Sequence, residues 1–401
     1  MVAPKEQFAG EDELTLDNLL QTPEGGRIMS CIQCGMCAGT CPYGEYMAYP
    51  PRQIINMLRS GLIEEVFQSD SLLNCVACYA CLAKCPRKIR LTEVLLPLVK
   101  ERVFEQLPNV PKELQSALQN TLRYGNPMGL SPAKRVEWVK TAGVPIRLLP
   151  QDPKPVDVLW FVECYTSYHP RGQENSRAVV KLLRALGVDF AILGNEERCA
   201  GECARLVGEA GLFDTLRERN MGVFRKYKFN RLLTSGAHAY DAFRYLYPPL
   251  GFDYPLEHTT TFFAKELAAL KPRLTKKLDY RVTYHDSCCL GRHNGFYDEP
   301  RALLNAIPGV KLVEMAHNRI NALCCGGGGG GMWLDTYYKA RSMERLSDRR
   351  VQEAIATGAD VLAVSCPYEV SRFEDALKTA GHDKQMVVRD VVELLAESLE
   401  D

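Results

Sequence analysis

One pattern constrains this chain more than any other. Cys31-x2-Cys34-x2-Cys37-x3-Cys41-Pro42 recurs without change as Cys75-x2-Cys78-x2-Cys81-x3-Cys85-Pro86. Thiolates at i, i+3 and i+6 wrap one corner of a cubane, and the fourth Cys, just before Pro, ligates the other cluster. The spacing therefore predicts one [4Fe–4S] cluster on Cys31, Cys34, Cys37 and Cys85, and a second on Cys75, Cys78, Cys81 and Cys41. A zinc ribbon uses paired Cys-x-x-Cys and has no need of the third and fourth Cys or the Pro. Two clusters in one small domain make a relay for single electrons.

Composition narrows the class further. There are 16 Cys in 401 residues, and 46% of residues are apolar, enough for real cores. A disulfide framework belongs to small secreted domains that lack such a core. The start, MVAPKEQFAGEDELTLDN, has no apolar stretch after a basic segment, so no secretory signal is read and a cytoplasmic metalloprotein is expected. Lys+Arg and Asp+Glu balance at 49 each with no basic stripe, which gives nucleic acid no footprint. The longest apolar runs, such as Val156–Val162, fall far short of the ~20 residues of a membrane helix. The chain is expected to have no membrane span of its own and to reach a membrane only through a partner.

Three regions follow. Residues 1–102 hold eight Cys with short helix-like segments between them. Residues 103–155 hold no Cys, are dotted with Pro (Pro108, Pro111, Pro127 and others) and read as a connector with some helix, such as Lys112–Tyr124. From 156 the pattern is β/α and looks like a diverged tandem repeat, 156–270 and 271–401. Equivalent points are offset by 124 (Cys164 to Cys288), 125 (Cys199 to Cys324) and 130 (Gly236 to Cys366). Alternating strands and helices imply parallel α/β units. Cys164, Cys288 and Cys366 each follow an apolar run, at the strand ends where ligands collect in such sheets. The predicted fold class is α+β multidomain, a mainly helical two-cluster ferredoxin-like domain followed by two α/β repeats.

The residues around these motifs carry a family resemblance. "CIQCGMCAGTCPYG", "PPRQIINMLRSGLIEEV" and "LLNCVACYACLAKCPRKIRLTEVL" resemble the C-type subunit of heterodisulfide reductase over residues 28–102. The α/β half resembles the CCG domain pair of the B-type subunit. Fused in this order, the two modules resemble the D-type subunit of heterodisulfide reductase and its relatives, which include iron–sulfur subunits of flavoprotein, lactate or glycolate dehydrogenase systems and of sulfur-metabolism complexes. The resemblance implies five Cys in an intact CCG unit, a single one, a Cys-Cys-Gly and a Cys-x-x-Cys, holding a noncubane [4Fe–4S] cluster. In the first repeat Cys164 and Cys199 match, but Ala200, Gly236 and Ala239 replace the other three. Cys203 is an extra thiol nearby, and three thiols fall short of the usual four. This repeat is expected to have lost its cluster, leaving packed thiols or, alternatively, a redox-active pair. In the second repeat Cys288, Cys324, Cys325 and Cys366 match and Glu369 stands in the last Cys position. A third cluster, cubane or noncubane, is expected there. Cys289 is the better candidate for a fifth ligand, because carboxylate suits iron–sulfur chemistry poorly.

Other residues attach to this reading. The run Gly326–Gly331 abuts two candidate ligands, and backbone N–H groups of Gly326, Gly327 and Gly328 could cradle cluster sulfur. No Gly-Lys-Ser/Thr follows it, so a phosphate loop is not read. His285 is expected to tune the third cluster by hydrogen bonding, with proton donation to a substrate thiolate as the alternative. His238 falls in the emptied first site, and Arg292 and His293 are expected on a solvated surface. Trp160 and Trp333 are expected in the core, and Val387–Leu399 is read as a packing helix.

The expected function is an iron–sulfur electron-transfer subunit of a heterodisulfide reductase-like oxidoreductase complex. It would relay single electrons through two cubanes to or from a third cluster in the second repeat; whether the chain catalyses anything alone is left open. The resemblance implies a flavoprotein or dehydrogenase on one side and a quinone-linked membrane subunit, a ferredoxin or a disulfide on the other. The alternatives are a catalytic thiol–disulfide reductase subunit, which loss of one CCG cluster argues against, and a non-catalytic redox sensor, which has no use for a relay.

Overall fold

In a computed structural model of the protein, residues 15–106 and 110–400 are described; Pro108 and most of the N-terminal stretch lie outside the described residues. Two compact units emerge, and they do not follow chain order. One comprises the chain through Gln115 with Glu202–Asp214 and Gly326–Glu344; the other comprises Ser116–Gly201, Thr215–Cys325 and Arg345–Asp401.

The first unit is helical. Thr15 and Thr22 cap the helices Leu16–Gln21 and Pro23–Ile28, their side chains accepting from the N–H groups of Asn18 and Gly25. Pro51 opens the helix Pro51–Arg59, where its missing N–H costs nothing. That helix buries Ile54, Ile55 and Leu58 against Ile63, Val66, Leu95 and Val99. At about 1.5–3 kcal/mol for each large side chain buried, this apolar floor is the unit's main stabiliser. Cys31, Cys37, Cys75, Cys81 and Cys85 pack against it. Both cysteine motifs make their tight turns through left-handed residues at equivalent positions, Gln33 and Ala77, then Gly35 and Tyr79.

The second unit holds two parallel sheets. The first has the order β1-β3-β2-β4-β5, from β1 (Arg147–Leu148), β2 (Val156–Phe161), β3 (Phe190–Ile192), β4 (Phe229–Thr234) and β5 (Leu256–His258). The second has the order β7-β6-β8-β9, from β6 (Arg281–Tyr284), β7 (Lys311–Val313), β8 (Val361–Val364) and β9 (Val387–Asp390). Apart from β1, the strand order of the first sheet is that of the second, so the tandem repeat is visible in topology. One core joins both sheets, with Trp160, Leu233 and Phe263 from the first repeat and Tyr284, Leu304 and Val391 from the second. Arg171, on the helix Pro170–Ala185, adds a polar tie, donating to Glu374 at 2.7 Å and to the backbone of β9 at 3.2 Å.

Three expectations are corrected. Residues 387–399 are not one helix. Val387–Asp390 pairs parallel to β8, and the helix Val391–Glu397 starts at Asp390, whose carboxylate caps it. The reason is that β8 offers an open edge, which a β-branched pair such as Val387-Val388 fits. Trp160 is fully buried as expected, but Trp333 is only half-buried. Third, the stretch before 156 does more than connect: Trp138, in the short-pitched helix Pro132–Thr141, packs edge-on against Trp160 at 5.8 Å, and β1 extends the first sheet.

Candidate metal centres

The first unit forms two cavities with four thiols each. One is lined by Cys31, Cys34, Cys37 and Cys85, with Ile55 and Ile89 as apolar lining and the exposed Arg52 and Arg87 also lining it. The other is lined by Cys41, Cys75, Cys78 and Cys81, with Ile54, Leu91 and Leu96 behind them. In each, three thiols of one motif meet the pre-proline thiol of the other. Gln33 donates to Cys31 Sγ at 3.3 Å, and Thr92 Oγ1 lies 3.2 Å from Cys81 Sγ. Burial, together with the neighbouring thiols Cys31 and Cys85, pushes Cys37 up. Burial and neighbours Cys78 and Cys75 push Cys41 further up, and Cys81 rises for the same reasons. Four crowded thiols give up protons only to a cationic centre that shares their charge, so the donor set fits a [4Fe–4S] cluster in each cavity. Lys100 is buried beside Cys75 with its ammonium on the Leu206 carbonyl at 3.1 Å; burial lowers its proton affinity, opposed by Cys75. The cavities differ in one respect: Cys34 is exposed, whereas Cys78 is buried.

The glycine run is bound to this unit. A Cβ on Gly329 would lie 2.2 Å from the Cys75 carbonyl oxygen, and one on Gly331 2.0 Å from that of Gly326. Gly331 and Met332 donate back to the carbonyls of Gly328 and Gly327. Glycine is therefore demanded by packing at Gly329 and Gly331, beyond the three positions the sequence singles out.

In the second unit, Cys288, Cys289, Cys324, Cys325 and Cys366 are all buried. β6 ends at Tyr284 and delivers His285, Asp286 and Cys288; β8 delivers Cys366, which starts the helix Pro367–Thr379 carrying Glu369. Hydrogen bonds from Cys289 and Cys324 pull Cys288 well below the usual thiol range, and one from Cys324 does the same for Cys325. Burial pushes Cys366 up. The turn after β6 is fixed by Arg301, which grips Asp286 bidentately at 2.7 and 2.9 Å. His285, Cys325 and Glu369 converge within 4.8 Å. Arg350 Nε lies 3.1 Å from His285 Nδ1, and His285 Nε2 lies 3.4 Å from a Glu369 carboxylate oxygen. Burial opposes charge on His285, but Glu369 and Cys325 outweigh it and raise the imidazole to about 9. Burial likewise raises Glu369 to about 7, with His285 opposing. The donor set, five thiols with a carboxylate behind them, fits a further iron–sulfur cluster. The first repeat contributes His238, whose Nδ1 lies 3.6 Å from Cys289 Sγ, a contact that no local sequence signal could announce. Arg292 and His293 are not on a solvated surface. Arg292 donates to the Ala322 carbonyl and His293 meets Asp241 at 2.9 Å, because the turn after Cys289 packs on the first repeat.

The first repeat has no such thiol set. Its Cys164 lies buried between Arg135 Nη2 at 3.3 Å and the Gly125 carbonyl. Arg135 pairs at 2.5 Å with Glu197, whose carboxylate also accepts from the N–H groups of Val162 and Glu163. Glu163 adopts φ 78°, ψ 171°, a region nearly reserved for glycine. Its carboxylate accepts from Thr234 and from the N–H of Gly236. A Cβ on Gly236 would lie 1.9 Å from that carboxylate, so the space of a family cysteine is filled by Glu163. Burial raises Glu163 to about 8. Arg135, Glu163 and Glu197 were not legible in the sequence, being far apart in the chain and in no motif.

Comparison with known proteins agrees with this architecture. The 4Fe-4S dicluster domain family matches residues 27–89, and the cysteine-rich domain family, CCG, matches 158–238 and 282–368. The chain is 33% identical to EtfAB:quinone oxidoreductase of Syntrophomonas wolfei over 98% of this chain and 60% of that protein. It is 34% identical to the probable iron-sulfur-binding oxidoreductase FadF of Bacillus subtilis, over 84% and 48%. It thus spans about half to three-fifths of the length of these two relatives. With the D-type subunit of dihydromethanophenazine:CoB--CoM heterodisulfide reductase from Methanosarcina barkeri the identity is 30%, over 92% of this chain and 93% of that one. No helix among the described residues is long and apolar enough to cross a membrane. A two-cluster domain fused to tandem CCG repeats, collinear with that D-type polypeptide nearly end to end, makes this chain a member of the heterodisulfide reductase D-type family.

Proposed function

We propose that this chain carries single electrons within a heterodisulfide reductase-like complex, using two cubanes in its first unit and a third cluster in its second CCG repeat. Bound there, the clusters supply one-electron transfer. The residues set the terms. Cys31, Cys34, Cys37 and Cys85 hold the solvent-side centre; Cys75, Cys78, Cys81 and Cys41 hold the enclosed one. Cys288, Cys324, Cys325 and Cys366, with Cys289, hold the third, and His285 and Glu369 stand beside Cys325. Gly326–Gly331 shapes the backbone next to Cys75. The observation that carries the reading is the crossed thiol sets, three from one motif and one from the other in both cavities. Similarity to EtfAB:quinone oxidoreductase supports a flavoprotein or dehydrogenase as one partner and a quinone-linked protein as the other.

Iron counting with EPR tests this. Anaerobically purified protein is expected to hold on the order of 12 Fe, against about 8 for the ferredoxin pair alone. Cys324→Ala is expected to lose about four Fe and one EPR signal; unchanged iron and electron flow would remove the third cluster. Turnover of a thiol disulfide with an artificial donor would favour a reductase instead.

A further inference from the structure

The first repeat keeps two thiols, and its surroundings treat them as a pair. Cys199 hydrogen-bonds the Cys164 thiol. The Gly125 carbonyl touches both residues, accepting from the Cys199 N–H at 2.9 Å and lying 3.8 Å from Cys164 Sγ. Asn220 Nδ2 donates to the Cys199 carbonyl at 3.1 Å, so the Cys199 backbone is pinned on both sides. Arg135 is buried against Cys164, and its Nε meets no acceptor among the described residues. A guanidinium in a dry site stabilises thiolate over thiol. The neighbouring Cys199 and then Arg135 outweigh burial and hold Cys164 down at about 7. Access is asymmetric, Cys164 being fully buried and Cys199 partly exposed.

We propose that Cys164 and Cys199 form a dithiol–disulfide centre that takes the place of the first repeat's cluster and exchanges two electrons with small-molecule thiols and disulfides. Cys199 passes its proton to the Cys164 thiolate and bonds one sulfur of an incoming disulfide RSSR, whose S–S bond breaks to release RS⁻. The RS⁻ takes the proton back from Cys164. The Cys164 thiolate then bonds the Cys199 sulfur and expels the second RS⁻. Net, one thiolate, one thiol and RSSR become the Cys164–Cys199 disulfide, RSH and RS⁻. RSSR is reduced by two electrons and the pair is oxidised by two. Arg135 is a positioning residue that keeps the resolving sulfur ionised.

The test uses the full anaerobic holoprotein, poised in oxidised and reduced glutathione, acid-quenched, alkylated and peptide-mapped. Cys164 and Cys199 are expected to lose alkylation together, with a Cys164–Cys199-linked peptide appearing in their place. The bridged-to-free ratio should rise tenfold for a tenfold rise in oxidised glutathione at fixed reduced glutathione. Full alkylation of Cys164 at every poise, a glutathione adduct persisting on Cys199, or a bridge to Cys203 would each overturn the proposal. In Arg135→Lys, bridging at pH 7 should slow at least threefold and recover as pH rises. An unchanged rate and pH profile would remove Arg135 from it. If that variant does not fold, the wild-type map decides alone, and neither readout depends on the iron count.

Discussion

At the scale of single residues, Arg135, His285 and Glu369 are buried titratable groups beside thiols, whereas His258 is buried away from them. It is fully buried, its Nε2 lies 2.8 Å from the Ser235 carbonyl, and its Nδ1 accepts from Thr260 to start a helix. Burial lowers it to about 4, the Ser235 carbonyl opposing. The folded value lies below the unfolded one, so below about pH 6.5 the unfolded chain binds the proton first. The stability held by the neutral ring is complete above that pH and is lost as pH falls toward 4, by up to about 1.4 kcal/mol per unit. Denaturant titrations between pH 4.5 and 7.5 should show a steeper acid slope for wild type than for His258→Gln. Equal slopes would mean that another group dominates. The sequence showed a His at this position but not its burial, because the carbonyl it meets belongs to the bend after the adjacent strand, β4.

At the scale of elements, local signals read well where one face or one motif decides. The helix Lys112–Tyr124 and the apolar runs that form β2, β3, β4, β6, β7 and β8 were legible in the sequence, whereas β1 and β5 carry too few apolar residues to stand out. β9 was not legible, because two valines and two charged residues followed by a helical stretch fit a helix as well as a strand, and the unpaired edge of β8 decides. The junction depends on Asp390, which accepts from Val392 N–H at 3.0 Å while Glu393 accepts from the Asp390 N–H at 3.0 Å. Asp390→Ala should cost about 1 kcal/mol, read as a lower midpoint in denaturant at constant slope, and Asp390→Asn should restore most of it. The two cysteine motifs reach the same turns with different residues, Gly35 in one and Tyr79 in the other. The second carries about 1–2 kcal/mol of backbone strain, held by the burial of Tyr79 and its hydrogen bond to Glu202.

At the scale of the whole molecule, the difference between the two four-thiol cavities matters most. Cys34 is exposed, and Met29, Ile32 and Met36 around it are each more than half exposed, whereas the other cavity is roofed by Tyr43, Val76 and Leu91. Limited exposure to air followed by alkylation should therefore free Cys31, Cys34, Cys37 and Cys85 before Cys75 and Cys78. The reverse order in peptide mapping would show that solvent reaches the second cavity by another path. In the proposed relay, the Cys34 side is the one open to an external protein partner.

What the sequence alone determined is the chemistry that spacing encodes: eight cysteines in two identical motifs, four survivors in one CCG repeat and two in the other. Ligand count and ligand spacing are local quantities, so they are readable along a chain. What only the tertiary structure decided is what surrounds those thiols. Arg135, Glu163, Glu197, His238 and Arg350 reach the sites from separate elements, and Gly329 is fixed by its approach to Cys75. Burial and electrostatic environment come from residues distant in the chain. They set whether a thiol is a ligand, a thiolate or half of a pair, and only folding brings them together.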